Sequence, residues 1–335
     1  MKRFFFFILA LFLLFNSALA GIAAYGWDLF TRAGPLTAER TLILKKGSGL
    51  RAIAGQLKEE GIIHNDMAFI FGVRIREQAK KLKAGEFLFP AGISAEQVMA
   101  LLVSGKTVSH FLTIPEGLQI REVIALINEE PLLEGDLTLD LEEGSILPET
   151  YHFTRGETKD AIARRMKKAL GETLEELWKN RKPDPLVKTK EDLLILASIV
   201  EKETGKASER GRVAGVFLNR LGRKMRLQSD PTVVYGVTQG KAELGRPISK
   251  KDLAAVNDYN TYVIAGLPVG PICNPGRDSL QAVLDPVQSK DLYFVADGTG
   301  GHLFARTLAD HNRNVRKWRK IEKQRKKKAK PSTHK

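Results

Sequence analysis

Residues 190–204 hold the densest chemical signal in this 335-residue chain. Apolar side chains fill nearly every position from Leu193 to Val200, as in a helix buried on most sides, and the run leads straight into Glu201-Lys202-Glu203. A carboxyl group at the end of a buried helix is desolvated unless it is paired. Desolvation lifts its pKa toward the range where it can donate a proton near neutrality. At about 100° per residue the two glutamates point about 160° apart, so helix geometry alone does not let them share one site. One and two turns before Glu203 lie Ile199 and Leu196, against Ala197 and Leu194 before Glu201, so the Glu203 face is the bulkier. Structural ion pairs with Lys202, Lys206, Arg210 or Arg212 would account for the same two acids.

Short blocks rich in Tyr, Asn, Gln, Asp, Pro and Gly follow this helix. They are Met225 to Gly236, Tyr259-Asn260-Thr261-Tyr262, Gly266 to Gly276, Tyr293 to Gly298, and Gly300 to Phe304. Such blocks suit a carbohydrate groove, with aromatic faces for sugar rings and amides and acids for hydroxyls. Taken singly, each also suits turns and helix caps. Other chemistries lack their signatures. There is no His-Glu-x-x-His, the six histidines show no metal-ligand spacing, and no Gly-x-Ser-x-Gly occurs. Cys273, the single cysteine, has no protease signature around it and no disulfide partner. Gly300-Gly301 is too short for a phosphate loop. No cofactor and no metal site is implied.

The elements that would carry this segment begin with a membrane signal. Lys2 and Arg3 precede twenty-four uncharged residues, Phe4 to Trp27. About twenty apolar residues cross the hydrocarbon core, and Tyr25 and Trp27 fall where interfacial aromatics sit. Ala18-Leu19-Ala20 before Gly21 also resembles a signal-peptide cleavage site. Because the apolar run continues past it, an uncleaved single-pass anchor is the reading adopted. In either case the basic end stays cytoplasmic and the body is extracytoplasmic. Twelve Lys or Arg and one acid, Glu322, fall between Arg313 and Lys335. That stretch carries +11 of the net +14 and leaves +3 for the rest, too little to argue for nucleic-acid binding. A solvated, fraying helix extension accounts for the tail, with acidic lipid or wall polymer as the other reading.

Between anchor and helix the chain repeats a strand–turn–helix pattern. Leu42 to Leu44 precedes the stripe Leu50, Ile53, Ala54, Leu57, which Gly61 stops. Gly85 to Phe89 precedes Ser94 to Val103, and Leu112 to Ile114 precedes Ile120, Val123, Ile124, Ile127. Residues 40–110 resemble a LysM module, a small βααβ fold that binds N-acetylglucosamine-containing glycans; a plain spacer would give the same pattern. Residues 144–153 read as a connecting segment, and 157–182 as one or two charged amphipathic helices.

Five ordered motifs resemble the MltG (YceG-like) family of endolytic murein transglycosylases. They are Ala197 to Thr204, Met225 to Thr232, Tyr259 to Tyr262, Gly266 to Pro271, and Tyr293 to Gly298 with Gly301-His302. With the anchor and the LysM-like unit, the resemblance spans residues 1–318. Glu149 in Pro148-Glu149-Thr150-Tyr151 stands where the family usually has Asp, and Asn257-Asp258 precedes the Tyr-Asn-Thr-Tyr block. The resemblance implies an α+β protein with this domain order: an anchor over 1–30, a LysM-like module over 40–110, a strand–helix connection over 111–155, a catalytic domain over 156–318, and a basic tail over 319–335. It implies Glu203 as catalytic acid, cleaving the β-1,4 bond between N-acetylmuramic acid and N-acetylglucosamine to leave 1,6-anhydro ends. Gln228, Asp230, Tyr259, Asn260 and Glu201 are the candidate substrate contacts. Peptidoglycan strands are the implied partner, with peptidoglycan synthases beside them, at the bacterial inner membrane with the catalytic domain periplasmic. A non-catalytic LysM-type wall binder and a water-using muramidase are the competing readings.

Overall fold

The computed structural model describes residues 2–329, so residues 330–335 of the basic tail lie outside the described part. The chain is α+β and forms two units. One comprises Met1–His110 with His152–Glu157, and the other Phe111–Tyr151 with Thr158–Lys335.

The first unit opens with α1 (Lys2–Thr31), uninterrupted across Ala20-Gly21 and apolar and long enough to cross a membrane. Its last turns join the core of the unit, because Phe30 is fully buried and rests where Gly72 leaves no room for a Cβ. Strand β1 (Arg40–Leu44) turns Leu42 and Leu44 inward in alternation, and α2 (Leu50–Glu59) buries the expected Ile53, Ala54 and Leu57. Gly61, at φ +66°, follows the end of that helix, in a conformation that costs glycine little. Asn65 then caps α3 (Asp66–Ile75) by accepting from Ala68 N at 2.9 Å. Strand β2 (Gly85–Phe89) pairs antiparallel with β1, Leu42 opposite Phe87. The order is thus β–α–α–β, followed by α4 (Ala95–Ser104), which opens on a Ser94–Gln97 capping box.

The chain passes between the units through β3 (His110–Thr113) and β4 (Thr150–Phe153), which pair with each other; α5 (Ile120–Glu129) lies between them in sequence. Within the first unit, the buried Glu86 carboxylate meets His110 Nε2 at 2.6 Å and accepts from Arg155 Nε at 3.3 Å. Burial alone would raise its pKa, and these two partners hold it below the ordinary value.

The second unit continues with α6 (Lys159–Asn180), one helix where one or two were expected. Next come α7 (Lys190–Glu203), α8 (Ala207–Gly222), α9 (Asp230–Thr238), α10 (Lys250–Ala254) and α11 (Arg277–Leu284). An antiparallel hairpin, β5 (Tyr293–Ala296) with β6 (His302–Ala305), leads into α12 (Leu308–Ala329). Helix α7 is the axis of this core: Leu193, Leu196, Ala197, Ile199 and Val200 are all fully buried, with α8 and α11 packed on it. A Thr189–Asp192 capping box fixes where it starts. Alongside it runs the Gly-Pro-rich strap. Ile272 N donates to Ser198 Oγ at 3.0 Å, and Asn274 Nδ2 donates to Leu118 O at 3.0 Å. Ile272, Cys273 and Asn274 are essentially inaccessible, so this block packs against the helix and leaves its polar atoms satisfied within the protein.

Candidate active site

Glu203 is the last residue of α7, where the apolar core gives way to a cavity of about 360 Å³. Its neighbours there include Arg220, Gln228, Asp230, Tyr262, Tyr293 and His302. Ser229 Oγ donates to Glu203 Oε1 at 2.5 Å. Burial pushes the Glu203 pKa up to about 7, the negative charge of Asp230 adds to the rise, and Ser229 and Arg220 oppose it. The carboxyl is therefore protonated in a large fraction of molecules at neutral pH, as a general acid requires.

Two sequence blocks interlock to hold Ser229 in place. Ser229 N donates to Thr261 Oγ1 at 2.9 Å, Gln228 N to Thr261 O at 3.2 Å, and Thr232 Oγ1 to Ser229 O at 2.7 Å. Gln228 sits at φ +50°, a left-handed turn just before α9 that carries the chain from the buried Leu227 past Glu203. Arg220 of α8 binds this turn from below, donating from Nη1 to Leu227 O at 2.8 Å and Gln228 Oε1 at 3.3 Å, and from Nε to Leu292 O at 2.6 Å. Its guanidinium lies 5.1 Å from the Tyr293 ring centroid. Tyr262 hydroxyl donates to Asp230 Oδ1 at 2.6 Å. His302 Nδ1 lies 2.8 Å from Glu209 Oε2, and His302 N donates to Glu209 Oε1, so the ring is gripped on that edge. A second hollow of about 510 Å³ also borders Asp230 and is lined by Gln119, Arg121, Lys202 and Pro231 among others.

Of the six residues singled out from sequence, the structure brings Glu203, Gln228 and Asp230 to one cavity. Glu201 lies elsewhere, 6% exposed, accepting from Gly276 N at 2.9 Å and Arg210 Nη2 at 3.3 Å. Asn260 is fully buried, and its Nδ2 donates to the carbonyls of Asp252, Leu253 and Ala255 while its Oδ1 accepts from Tyr262 N. It shapes the loop and has no face on the cavity. Tyr259 packs on Tyr235 with ring centroids 4.7 Å apart and does not line the cavity either. Conversely Arg220, Ser229, Tyr262, Tyr293 and His302 were not singled out; the last four stand inside the polar blocks, whereas Arg220 lies outside all of them, within α8.

Fold and site together define an α+β protein with an apolar N-terminal helix and a desolvated acid at the head of a polar, aromatic cavity. The chain belongs to the YceG-like family, whose model matches residues 42–317. A Bacillus subtilis (strain 168) relative named endolytic murein transglycosylase is 31% identical over 307 residues, covering 82% of this chain and 83% of its own. A relative of the same name from Streptococcus pneumoniae serotype 2 (strain D39) is 29% identical over 326 residues; the match covers 82% of this chain and 57% of the longer relative. A YceG-like protein of known crystal structure from Listeria monocytogenes is 30% identical, covering 82% of this chain and 98% of that one, with a TM-score of 0.49.

Proposed function

We propose that this chain is an endolytic lytic transglycosylase that cuts peptidoglycan between N-acetylmuramic acid and N-acetylglucosamine. The observation that carries this reading is Glu203: a desolvated carboxyl, pKa near 7, hydrogen-bonded to Ser229 and open to a cavity lined by Tyr262, Tyr293 and Gln228. As acid, Glu203 protonates the glycosidic oxygen while the bond to muramic C1 breaks. The resulting carboxylate then takes the proton of the muramic C6 hydroxyl as O6 closes on C1. The products are a 1,6-anhydro end and a free N-acetylglucosamine 4-hydroxyl, and Glu203 is restored without water. Gln228 and Asp230 hold the sugars. The relatives' shared name supports murein as the substrate.

In this reading α1 is a single-pass anchor in the inner membrane, with its basic N-terminal end cytoplasmic and the body periplasmic. The β–α–α–β portion of the first unit is a LysM-like glycan binder, and the catalytic domain lies within 156–318. An anchored enzyme of this kind trims or terminates nascent strands where synthases extend them, which makes those synthases partners.

A water-using muramidase has one observation in its favour, since Asp230 places a second carboxylate in the cavity with Glu203. Two carboxylates about 5–9.5 Å apart are the usual equipment for hydrolysis. Incubating the full chain in detergent with purified strands and weighing the products separates these readings. Anhydro products, lighter by one water and missing with Glu203→Gln, support the transglycosylase. Hydrated ends would replace it with a muramidase. No cleavage by folded protein, with strand binding retained in Glu203→Gln, would leave a wall-binding protein.

A further inference from the structure

Helix α3 carries an apolar stripe that its own unit leaves uncovered. Met67, Phe71 and Ile75, at i, i+4 and i+8, are 66%, 47% and 52% exposed. The opposite side of the helix is spent on the core through Phe69 and Val73. Three large exposed side chains in register on one short helix are a surface that calls for an apolar partner.

The identity of that partner follows from what the helix is fastened to. Phe30 of α1 packs against Gly72, and the Arg76 guanidinium lies 5.3 Å from the Trp27 ring centroid. Going back along α1 from Phe30 to Trp27 corresponds to going forward along α3 from Gly72 to Arg76. The two helices therefore run in opposite senses, and the C-terminal end of α3 points down toward the membrane-spanning part of α1. Counting about twenty residues of hydrocarbon core from Phe4 puts Trp27 in the headgroup layer on the far side. The Ile75–Arg76 end of α3 lies at that same depth. Arg74 lies in the last turn of α3, and Lys80 and Lys81 follow it within seven residues, all three exposed, with Glu77 the one acid among them.

We infer that the C-terminal end of α3 rests on the bilayer surface, with Ile75 and Phe71 at the headgroup–acyl boundary and Arg74, Lys80 and Lys81 against anionic lipid headgroups. An apolar face combined with flanking cations is the composition that holds helices at this interface. The first unit then meets the membrane twice, through α1 and through α3, and cannot swivel freely about its anchor. The inference rests on α1 crossing the bilayer.

The experiment uses the full chain in nanodiscs. Cys273 is fully buried, so single-cysteine variants can be labelled with an environment-sensitive fluorophore against a silent background. Labels go at Leu14→Cys in the span, Ile75→Cys, Met67→Cys, and Glu59→Cys on the exposed side of α2. Expected is a several-fold lower aqueous quenching at 75 than at 59, an intermediate value at 67, and quenching at 75 by nitroxide lipids labelled near the headgroup. Protection at 75 falls when phosphatidylglycerol is replaced by phosphatidylcholine. If 75 quenches like 59 while 14 is reached by deep lipid nitroxides, α1 spans and the α3 contact is refuted. If 14 is itself water-accessible, the spanning reading fails and the contact with it. Unchanged protection in phosphatidylcholine would overturn the anionic-headgroup part.

Discussion

Glu203→Gln should raise thermal stability in alkaline solution far more than in acid. The Glu203 carboxyl has its pKa lifted from 4.5 to about 7 in the folded chain. Below pH 4.5 it is protonated whether the chain is folded or not, and it exerts no pH-dependent penalty. As pH climbs, the unfolded chain loses this proton first, so folding stability falls until the folded carboxyl also ionises near pH 7 and is level beyond that. Integrated from pH 5 to pH 8, the loss is about 2–3 kcal/mol. Glutamine keeps an oxygen for the Ser229 hydroxyl and has no proton to lose, so it escapes the penalty. For a unit of this size 1 kcal/mol corresponds to roughly 2–4 °C, so the variant's gain in Tm at pH 8 should exceed its gain at pH 5 by roughly 5–10 °C. Thermal unfolding of both full-length proteins in the same detergent, at both pH values, measures it. Glu143, also pushed up to about 7 by burial, is common to both proteins and cancels in the comparison. An offset between variant and parent that is the same at pH 5 and pH 8 would refute the claim that burial at the end of α7 tunes this acid.

Ser229→Ala removes the donor that favours the ionised carboxylate, so the alkaline limb of the kcat/KM–pH profile, set by loss of the Glu203 proton, should move to higher pH; a shift to lower pH would contradict the geometry. Glu201→Ala takes one of three carboxylates from Arg210, which keeps Glu116 and Asp278, and leaves Gly276 N without its acceptor, so it should destabilise the second unit by about 1–3 kcal/mol while the folded fraction keeps its KM; denaturant melts with kinetics on the same samples check both halves. Phe30→Ala empties a fully buried site and should cost the first unit about 3–5 kcal/mol, read as faster hydrogen exchange in α3 and α4 with α7 unaffected. A soluble form starting at residue 31 should show the same defect, whereas one starting at residue 26 keeps Phe30 and should not.

The parts of this molecule that could be read from sequence are those in which local pattern and tertiary packing agree. The unbroken apolar run of α7 declared its own burial, and the angle between Glu201 and Glu203 already implied different surroundings, which the structure supplies as Arg210 and Ser229. The stripes of α2 and α5 were visible for the same reason. Polar loop residues were harder. An asparagine aimed at a sugar and one that ties three backbone carbonyls together look identical in a sequence, and Asn260 does the second. The partner of Glu203 and the walls of its cavity come from far along the chain: Ser229 is 26 residues away, and the grip of Glu209 on the lining residue His302 spans 93. No periodicity records such pairings, because only the folded backbone brings them together. The exposed stripe of α3 was missed because helical spacing ordinarily signals a core-facing side.

The strip from His152 to Glu157 returns to the first unit after the chain has already entered the second. This makes the first unit discontinuous, with a consequence for how the protein is made. A chain made from its N-terminus onward cannot complete that unit when His110 has been added, since Phe153 and Arg155 have yet to be synthesised. Until they arrive, Glu86 has only His110 to oppose its desolvation. About forty further residues must be made before the unit closes, and these belong to the next one, so the usual sequence of one domain finishing before its successor begins does not apply. Neither half can be grafted onto another protein by a single cut, and a deletion confined to residues 111–151 would shorten the tether between two pieces of the same core.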